Sequence, residues 1–425
     1  MKTNANFVYL NGLYWENKAE EVEQHIAKDL LSLTEVKSRK VGKVGPVHQI
    51  IEGDNLGALH LLNKKGETFD LIYIDPPYNT GNKDFKYTDT YFNTEDEARH
   101  STWSSFMHKR LQKAKQLLSD NGVIFLAIDD AEQARLKLIC DGIFGEQNFV
   151  ANFIRKNTAG SGHDSKQVAV EFDYMLCYAK NINTLVFNQE TVDVESDKKY
   201  KYEDRFVKRR GKYYLRDLDY KGSYSKTLDY EITAPDGTKM LSGGALGRPN
   251  TWRWGKEKFK WGIKNDYIVF KETPKGWKVY IKQYQFVDNK DEIRVRKLPY
   301  RALIDFNNSK GSNELKDILK QDIFSYPKPT DLLQFVLDLI PNKEINVLDF
   351  FAGSGTTLHA TMLQNKKDGG KRSCTLITNN ENNICEEVTY ARNKAVIEGF
   401  KTRRGKLVKG LEGNQLKYFK VRVKK

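Results

Sequence analysis

An α/β fold, with a parallel sheet interrupted by an inserted domain, is what this sequence predicts. Three observations carry the prediction: short β-branched runs that stop abruptly at an aspartate, amphipathic stretches between them, and a basic, aromatic-rich middle where that alternation ceases.

Leu71-Ile72-Tyr73-Ile74 is an apolar run that ends at Asp75 and a double proline, the pattern of a buried strand whose end carries chemistry. From Ser104 onward, Met107, Leu111, Ala114 and Leu118 recur on one helical face, and Asn121-Gly122 supplies a helix stop. Val123 to Ile128 reads as a second buried strand, Ala131 to Phe144 as a helix and Tyr174 to Tyr178 as a further strand. Strand, helix, strand, helix, strand predicts a parallel sheet. Between about Lys180 and Arg301 the rhythm breaks into interleaved cations and aromatics with turn pairs at Asp236-Gly237 and Gly243-Gly244, the mark of an insertion. It resumes with Leu333, Val336, Leu337 and Ile340 on one helical face and the strand Ile345 to Leu348 running into Asp349. Gly353-Ser354-Gly355, a helix from Thr356, a strand at Cys374 to Thr378 and a helix from Asn383 to about Glu398 follow. The expected division is an N-terminal segment 1–45, a first half-domain 46–180, an insertion 181–301 and a second half-domain 302–425.

At 425 residues the chain is long enough for a catalytic domain of about 200–250 residues and one more. A formal charge of +14 raises the local concentration of a polyanion such as nucleic acid, which speaks to partners and not to chemistry. Cys140, Cys177, Cys374 and Cys385 form no CxxC pair and have no histidine at zinc spacing, so they read as reduced, buried hydrophobes and no metal site is expected. The start lacks a signal pattern and no apolar run approaches the ~18–20 residues that span a bilayer. A cytoplasmic protein without a membrane partner is the expectation.

The stretch Val347 to Thr357 is a strand, a small-residue loop and a helix start. Glycines there let backbone approach a ligand, and the helix start offers free N–H groups. Thr356 stands where a phosphate-binding P-loop needs lysine, and Thr357 and Leu358 follow where a dinucleotide loop needs its spaced third glycine. A nucleoside without phosphates suits this loop. In Asp75-Pro76-Pro77-Tyr78 the prolines fix the backbone and remove two donors, leaving carbonyls beside a carboxylate and an aromatic face. An adenine N6 amine has two hydrogens to give and is a poor nucleophile. Acceptance of one hydrogen by Asp75 and one by the Pro76 carbonyl strengthens as positive charge develops on nitrogen. Tyr78 can stack on a base rotated out of the duplex.

On these residues the sequence resembles the amino-methyltransferases of DNA, and among them the modification subunits of type III restriction systems. Asp75 to Gly81 is similar to their catalytic motif and Asp349 to Thr357 to their cofactor loop, in the order of the β class. Similar segments run from Ile50-Ile51-Glu52-Gly53-Asp54-Asn55 to Lys409-Gly410-Leu411-Glu412-Gly413-Asn414, and include Phe324 to Pro329 and Thr251 to Trp254. The resemblance implies a doubly wound, Rossmann-like fold using S-adenosylmethionine, direct methyl transfer to adenine N6, and a restriction-modification or defence role. It implies double-stranded DNA as partner, with a second copy of the chain and a helicase or endonuclease restriction subunit as further partners. Cytosine-N4 transfer is the neighbouring activity, where serine commonly replaces Asp75; a silent DNA-recognition subunit is the alternative of another class. By resemblance Asp54 binds the cofactor's adenine, Lys328 lies near its amino-acid end, Asp349, Phe351, Ala352, Gly353, Ser354, Gly355 and Thr356 form its loop, and Glu381 holds its ribose. Modification subunits of this kind typically continue well beyond Lys425.

The insertion then corresponds to a target-recognition region. Lys208, Arg209 and Arg210, Trp252-Arg253-Trp254 with Lys256 and Lys258, and Arg294 with Arg296 combine charge for phosphates with flat groups for bases. Asn79 to Arg99, poor in aliphatic side chains, is a candidate loop over the flipped base, with Asn79 at its root. Asp129 and Asp130 end their strand either facing the same crevice or capping the next helix.

Overall fold

Alternate residues along the central strands face opposite ways, and both directions are buried. In the computed structural model, which describes residues 7–80, 99–158, 168–191, 197–243, 250–295 and 297–424, the run read at Leu71 is the inner part of a strand Phe69–Ile74. Leu71 and Tyr73 join one apolar layer with Val336, Leu337 and Leu358, while Ile72 and Ile74 join the opposite layer with Leu59, Met107 and Leu111. A strand with helices on both faces has no polar side, which is why these runs are continuously apolar.

The principal sheet of the described residues has ten strands in the order 303–305, 149–156, 172–179, 118–128, 69–74, 346–349, 373–378, 47–52, 415–423 and 31–35. From 118–128 to 415–423 every neighbouring pair is parallel. The expected all-parallel arrangement fails outside that block. Phe172–Ala179 runs antiparallel to both neighbours, and 31–35 antiparallel to 415–423. From 69–74 the chain winds outward to 118–128, and from 346–349 it winds the other way to 373–378. The two strands lie side by side, so a topological switch point falls between them.

Other boundaries shift. The helix Arg99–Leu117 passes directly into the strand Leu118–Ile128, so Asn121-Gly122 is an exposed-to-buried step inside the strand and not the helix stop. The helix Thr330–Asp338 ends before Ile340, and the stretch from Asn383 is a π-helical turn Ile384–Tyr390 leading into the helix Ala391–Glu398. All four cysteines are buried and unpaired with one another. Among the described residues no helix is long and apolar enough to cross a membrane.

Residues Met1–Asn188 and Tyr300–Lys425 form one compact unit and Gln189–Pro299 a second, which falls inside the stretch read as an insertion. The second unit has a three-stranded antiparallel sheet of 213–217, 276–284 and 268–273, a helix Lys256–Lys264, and a core that includes Trp252, Trp254, Phe259, Tyr267 and Ile281. Residues 81–98, most of the expected loop over the base, and Arg296 lie outside the described residues, as does Gly244.

Candidate active site

Five parallel strand ends open into one cavity of about 580 Å³. Asp75 follows 69–74, Asp129 follows 118–128, the Asp349 loop follows 346–349, Asn379 and Glu381 follow 373–378, and Gly53 and Asp54 follow 47–52. The switch point thus separates a half built on Asp75 and Asp129 from a half built on the glycine loop.

The Asp75-Pro76-Pro77-Tyr78 turn is held from both sides. The buried indole of Trp103 donates to the Pro77 carbonyl at 2.8 Å, so that carbonyl is already engaged. Lys328 Nζ lies 2.9 Å from Asp75 Oδ1 and donates to the Tyr78 hydroxyl at 2.8 Å. The Asp75 contact is an ion pair outside hydrogen-bonding geometry: Asp75 Oδ1 is buried and accepts no directed hydrogen bond among the described residues. The ammonium balances the carboxylate's charge, and the oxygen keeps its hydrogen-bonding directions open to an incoming donor. Burial, reinforced by Asp75, raises the Tyr78 phenol well above its ordinary range, so it stays protonated. Lys328 therefore sits between Asp75 and Tyr78, and the amino-acid end of a cofactor was the place the sequence suggested for it.

Asn79, expected at the DNA, is buried. It adopts φ +58°, and its amide donates to Glu132 Oε1 at 2.5 Å, an oxygen that also meets His100 Nδ1 at 2.6 Å. Its place is to fix the exit of the turn.

On the other half, Phe351, Ala352, Gly353, Ser354 and Thr356 line the cavity, and Phe351 packs 5.9 Å from the Phe106 ring. Gly355 does not line it. It starts the helix Thr356–Asp368 at φ +74°, and a Cβ there would stand 2.5 Å from Asn393 Nδ2, so only glycine allows the loop to turn. Thr356 Oγ1 donates to the Lys328 carbonyl at 3.1 Å. Glycine at 311 lets that segment pack close, since a Cβ would fall 2.2 Å from the Pro327 oxygen. Asp54 caps the helix Asn55–Lys64, accepting from the Gly57 N–H at 3.1 Å, and pairs with Arg110 at 3.2 Å. Glu381 lines the same end beside Asn379.

Asp349 is wholly buried and accepts from the Phe351 N–H at 3.0 Å and the Thr357 hydroxyl at 2.5 Å. Burial pushes its pKa up to about 7 against these two bonds. A carboxyl raised in the folded state contributes stability that is full below its ordinary pKa and is lost as pH climbs to the folded value. Asp349→Asn keeps both partners and removes the titration. Its thermal midpoint should exceed that of the unsubstituted ligand-free protein at about pH 8, and the difference should vanish near pH 4. A difference independent of pH would contradict the assignment.

Asp129 faces the cavity and does not cap the next helix, which begins at Gln133 after Glu132: its Oδ1 accepts from the Ala131 N–H at 3.0 Å in the turn before that helix, and burial, aided by Asp130, lifts it to about 6. Asp173, Asn157 and Asn308, which line the same wall, belong to no motif and were not anticipated. Their organiser, Arg155, is buried, donates from Nε to Asp173 at 2.7 Å and from Nη1 to Asn308 at 2.9 Å. Its partners lie far apart in sequence, so no local pattern announces it.

The second unit corrects several expected base contacts. Trp252 and Trp254 are 2% and 5% exposed, and the Trp252 indole donates to the Tyr230 carbonyl at 2.7 Å; both are core residues. Arg210 is buried against Asp291 at 2.9 Å and stacks on Phe206. Arg253 is half-buried, donating to the Asp217 carbonyl at 2.9 Å, and Arg209 is exposed but paired with Asp291 at 2.6 Å. Lys208, Lys256 and Arg294 remain on the surface.

The fold is thus a doubly wound α/β domain with a proline-rigid acceptor turn and a glycine loop on either side of one switch point. The chain belongs to the DNA methylase family, whose model matches residues 69–389. It is 34% identical over 358 residues to the type III restriction-modification enzyme StyLTI Mod subunit of Salmonella typhimurium, covering 77% of this chain and 52% of that one. To the EcoPI Mod subunit of Escherichia phage P1 it is 30% identical over 396 residues, covering 83% and 61%. To the type II methyltransferase M.KpnI of Klebsiella pneumoniae it is 30% identical over 385 residues, covering 86% and 89%. The chain thus spans about half to three-fifths of the two Mod subunits it matches.

Proposed function

We propose that this protein transfers a methyl group from S-adenosylmethionine to the N6 amine of an adenine flipped out of double-stranded DNA, as the modification component of a restriction-modification system. The observation that carries the reading is Asp75 Oδ1, a buried acceptor without a directed donor, at the lip of the cavity that the glycine loop closes from the other side. With the Pro77 carbonyl engaged by Trp103, the Pro76 carbonyl is the second acceptor. One N6 hydrogen goes to each. As the nitrogen bonds to carbon and the carbon–sulfur bond breaks, positive charge grows on nitrogen and both bonds strengthen. One proton then leaves the nitrogen for solvent. Tyr78 supplies the stacking face. The sulfonium donor brings an activated methyl group; Phe351 and the Ala352-to-Thr356 loop hold it, with Asp54 and Glu381 at its nucleoside end.

The substrate is tested by incubating the chain with labelled cofactor and DNA and identifying the modified base. N6-methyladenine is expected; N4-methylcytosine alone would overturn the adenine assignment, and no product would favour a silent recognition subunit. The surface cations of the second unit, Lys208, Lys256 and Arg294 with Arg209 and Arg253, serve the DNA backbone. Binding to duplex DNA should therefore fall steeply between low and moderate salt, by about tenfold or more where several phosphates are contacted. A flat salt response, read by fluorescence anisotropy, would remove that role. A restriction subunit and a second copy of the chain are the proposed protein partners.

A further inference from the structure

Behind the glycine loop lies a fully buried cation that the proposed chemistry has not used. Arg392, from the helix Ala391–Glu398, is wholly inaccessible, yet no carboxylate is in hydrogen-bonding contact with it among the described residues. The closest, Glu314, is 3.9 Å away and already bonds the Thr330 hydroxyl at 2.9 Å. Arg392 instead donates from Nη1 to Thr356 Oγ1 at 2.6 Å, to Ser354 Oγ at 3.2 Å and to the Ser354 carbonyl at 3.4 Å. Its Nη2 meets His359 Nδ1 at 3.2 Å, and burial together with Arg392 holds that imidazole neutral, so the nitrogen accepts. Its Nε is buried without a partner among the described residues. Burial pulls even this guanidinium down to about 10. A buried charge matched mainly by neutral oxygens is expensive for stability, and hydrophobic packing would serve the fold better.

The hydroxyl partners indicate what the charge is aimed at. Thr356 accepts from Arg392 and donates to the Lys328 carbonyl. Ser354 also accepts from Arg392 and lies 3.0 Å from Thr356 Oγ1; with the one Thr356 proton on Lys328, Ser354 is the donor of that pair, and its hydroxyl can rotate to a ligand. Ser354 and Thr356 line the cavity, whereas Arg392 stands one side chain behind them. Lys328 is the single cationic side chain among the described lining residues, and it is committed to Asp75 and Tyr78. We infer that Arg392 is a positioning residue that polarises the Ser354 hydroxyl to receive the carboxylate at the amino-acid end of the methyl donor. The inference rests on the cofactor reading above and specifies which buried charge matches the ligand's anion.

The test separates carboxylate recognition from loop integrity. S-adenosylhomocysteine and methylthioadenosine share the nucleoside and an uncharged thioether sulfur, but only the first carries the amino acid. By calorimetry on the full chain, Arg392→Met should weaken S-adenosylhomocysteine roughly ten- to thirtyfold, the cost of a lost charge-assisted interaction, and leave methylthioadenosine within about twofold. Arg392→Lys should recover most of the loss. Ser354→Ala, which leaves the buried charge in place, carries the same test should Arg392→Met fail to fold: selective loss of S-adenosylhomocysteine is expected. Equal weakening of both ligands in either variant would overturn the inference and leave the cofactor reading intact. Failure of the unsubstituted chain to bind S-adenosylhomocysteine at all would overturn both.

Discussion

Replacing Asp75 with alanine should lower methyl transfer by about 10²–10³ or more while leaving affinity for the methyl donor nearly unchanged. Two features of the site set the size of the effect. Asp75 Oδ1 is ion-paired with Lys328 but accepts no directed hydrogen bond among the described residues, so the amine that arrives there supplies one. The bond also strengthens as the nitrogen becomes positive, which places its loss in turnover and not in binding. Lys328 adds a second consequence. Its ammonium is 2.9 Å from Asp75 and hydrogen-bonded to Tyr78; without the carboxylate it becomes an unbalanced positive charge beside a nitrogen acquiring one of its own. Asp75→Asn keeps an oxygen acceptor but loses the charge, so it should fall between the wild type and alanine. Single-turnover rates with saturating cofactor, alongside calorimetric affinity for S-adenosylhomocysteine, separate the two parameters. Unchanged turnover in Asp75→Ala would remove Asp75 from the mechanism.

The elements that lead into the site were the legible part of the sequence, because they are buried on both faces and so are marked by unbroken apolar runs. Leu71 to Ile74, Val123 to Ile128 and the strand into Asp349 all stand where their composition indicated. The C-terminal strand Gln415–Val423 was not read, since Lys420 and Arg422 break the apolar register that Leu416 and Tyr418 begin; it pairs with Val47–Glu52 across more than 350 residues of chain. Phe172–Ala179 has the composition of any buried strand, and composition carries no direction, so its antiparallel course came only with the structure. In the cavity, motif residues were visible because proline and glycine impose local geometry. The residues that hold the motifs were not. Trp103 reaches Pro77 from 26 positions away and Arg392 reaches Ser354 from 38. The tryptophans of the second unit mislead for the opposite reason: an indole beside arginine has one composition whether it meets a base or fills a core, and burial decides for the core.

Arg155→Met should be the most destabilising single change at the site, by about 3–5 kcal/mol, because it strands a buried carboxylate. Arg155 and Asp173 are 2% and 4% exposed and form a two-pronged ion pair, with Nε to Oδ1 at 2.7 Å. Asp173→Asn should cost less, since the amide oxygen still accepts from the guanidinium and the remaining charge keeps Asn308. In the double variant Arg155→Met with Asp173→Leu neither charge is left, and most of the lost stability should return, as it does when a buried pair is replaced whole. Activity should not return with it. Arg155 Nη1 also holds Asn308 at 2.9 Å and the Phe306 carbonyl at 3.3 Å, joining the strand 149–156, before the second unit, to the segment that follows it. Asn157 receives the Asn308 N–H on its carbonyl at 2.9 Å, and both residues line the wall of the cavity on the Asp75 side. A stable but slow double variant, compared by thermal midpoint and single-turnover rate, would show that this pair shapes the target-base wall; recovery of both would reduce it to a packing element.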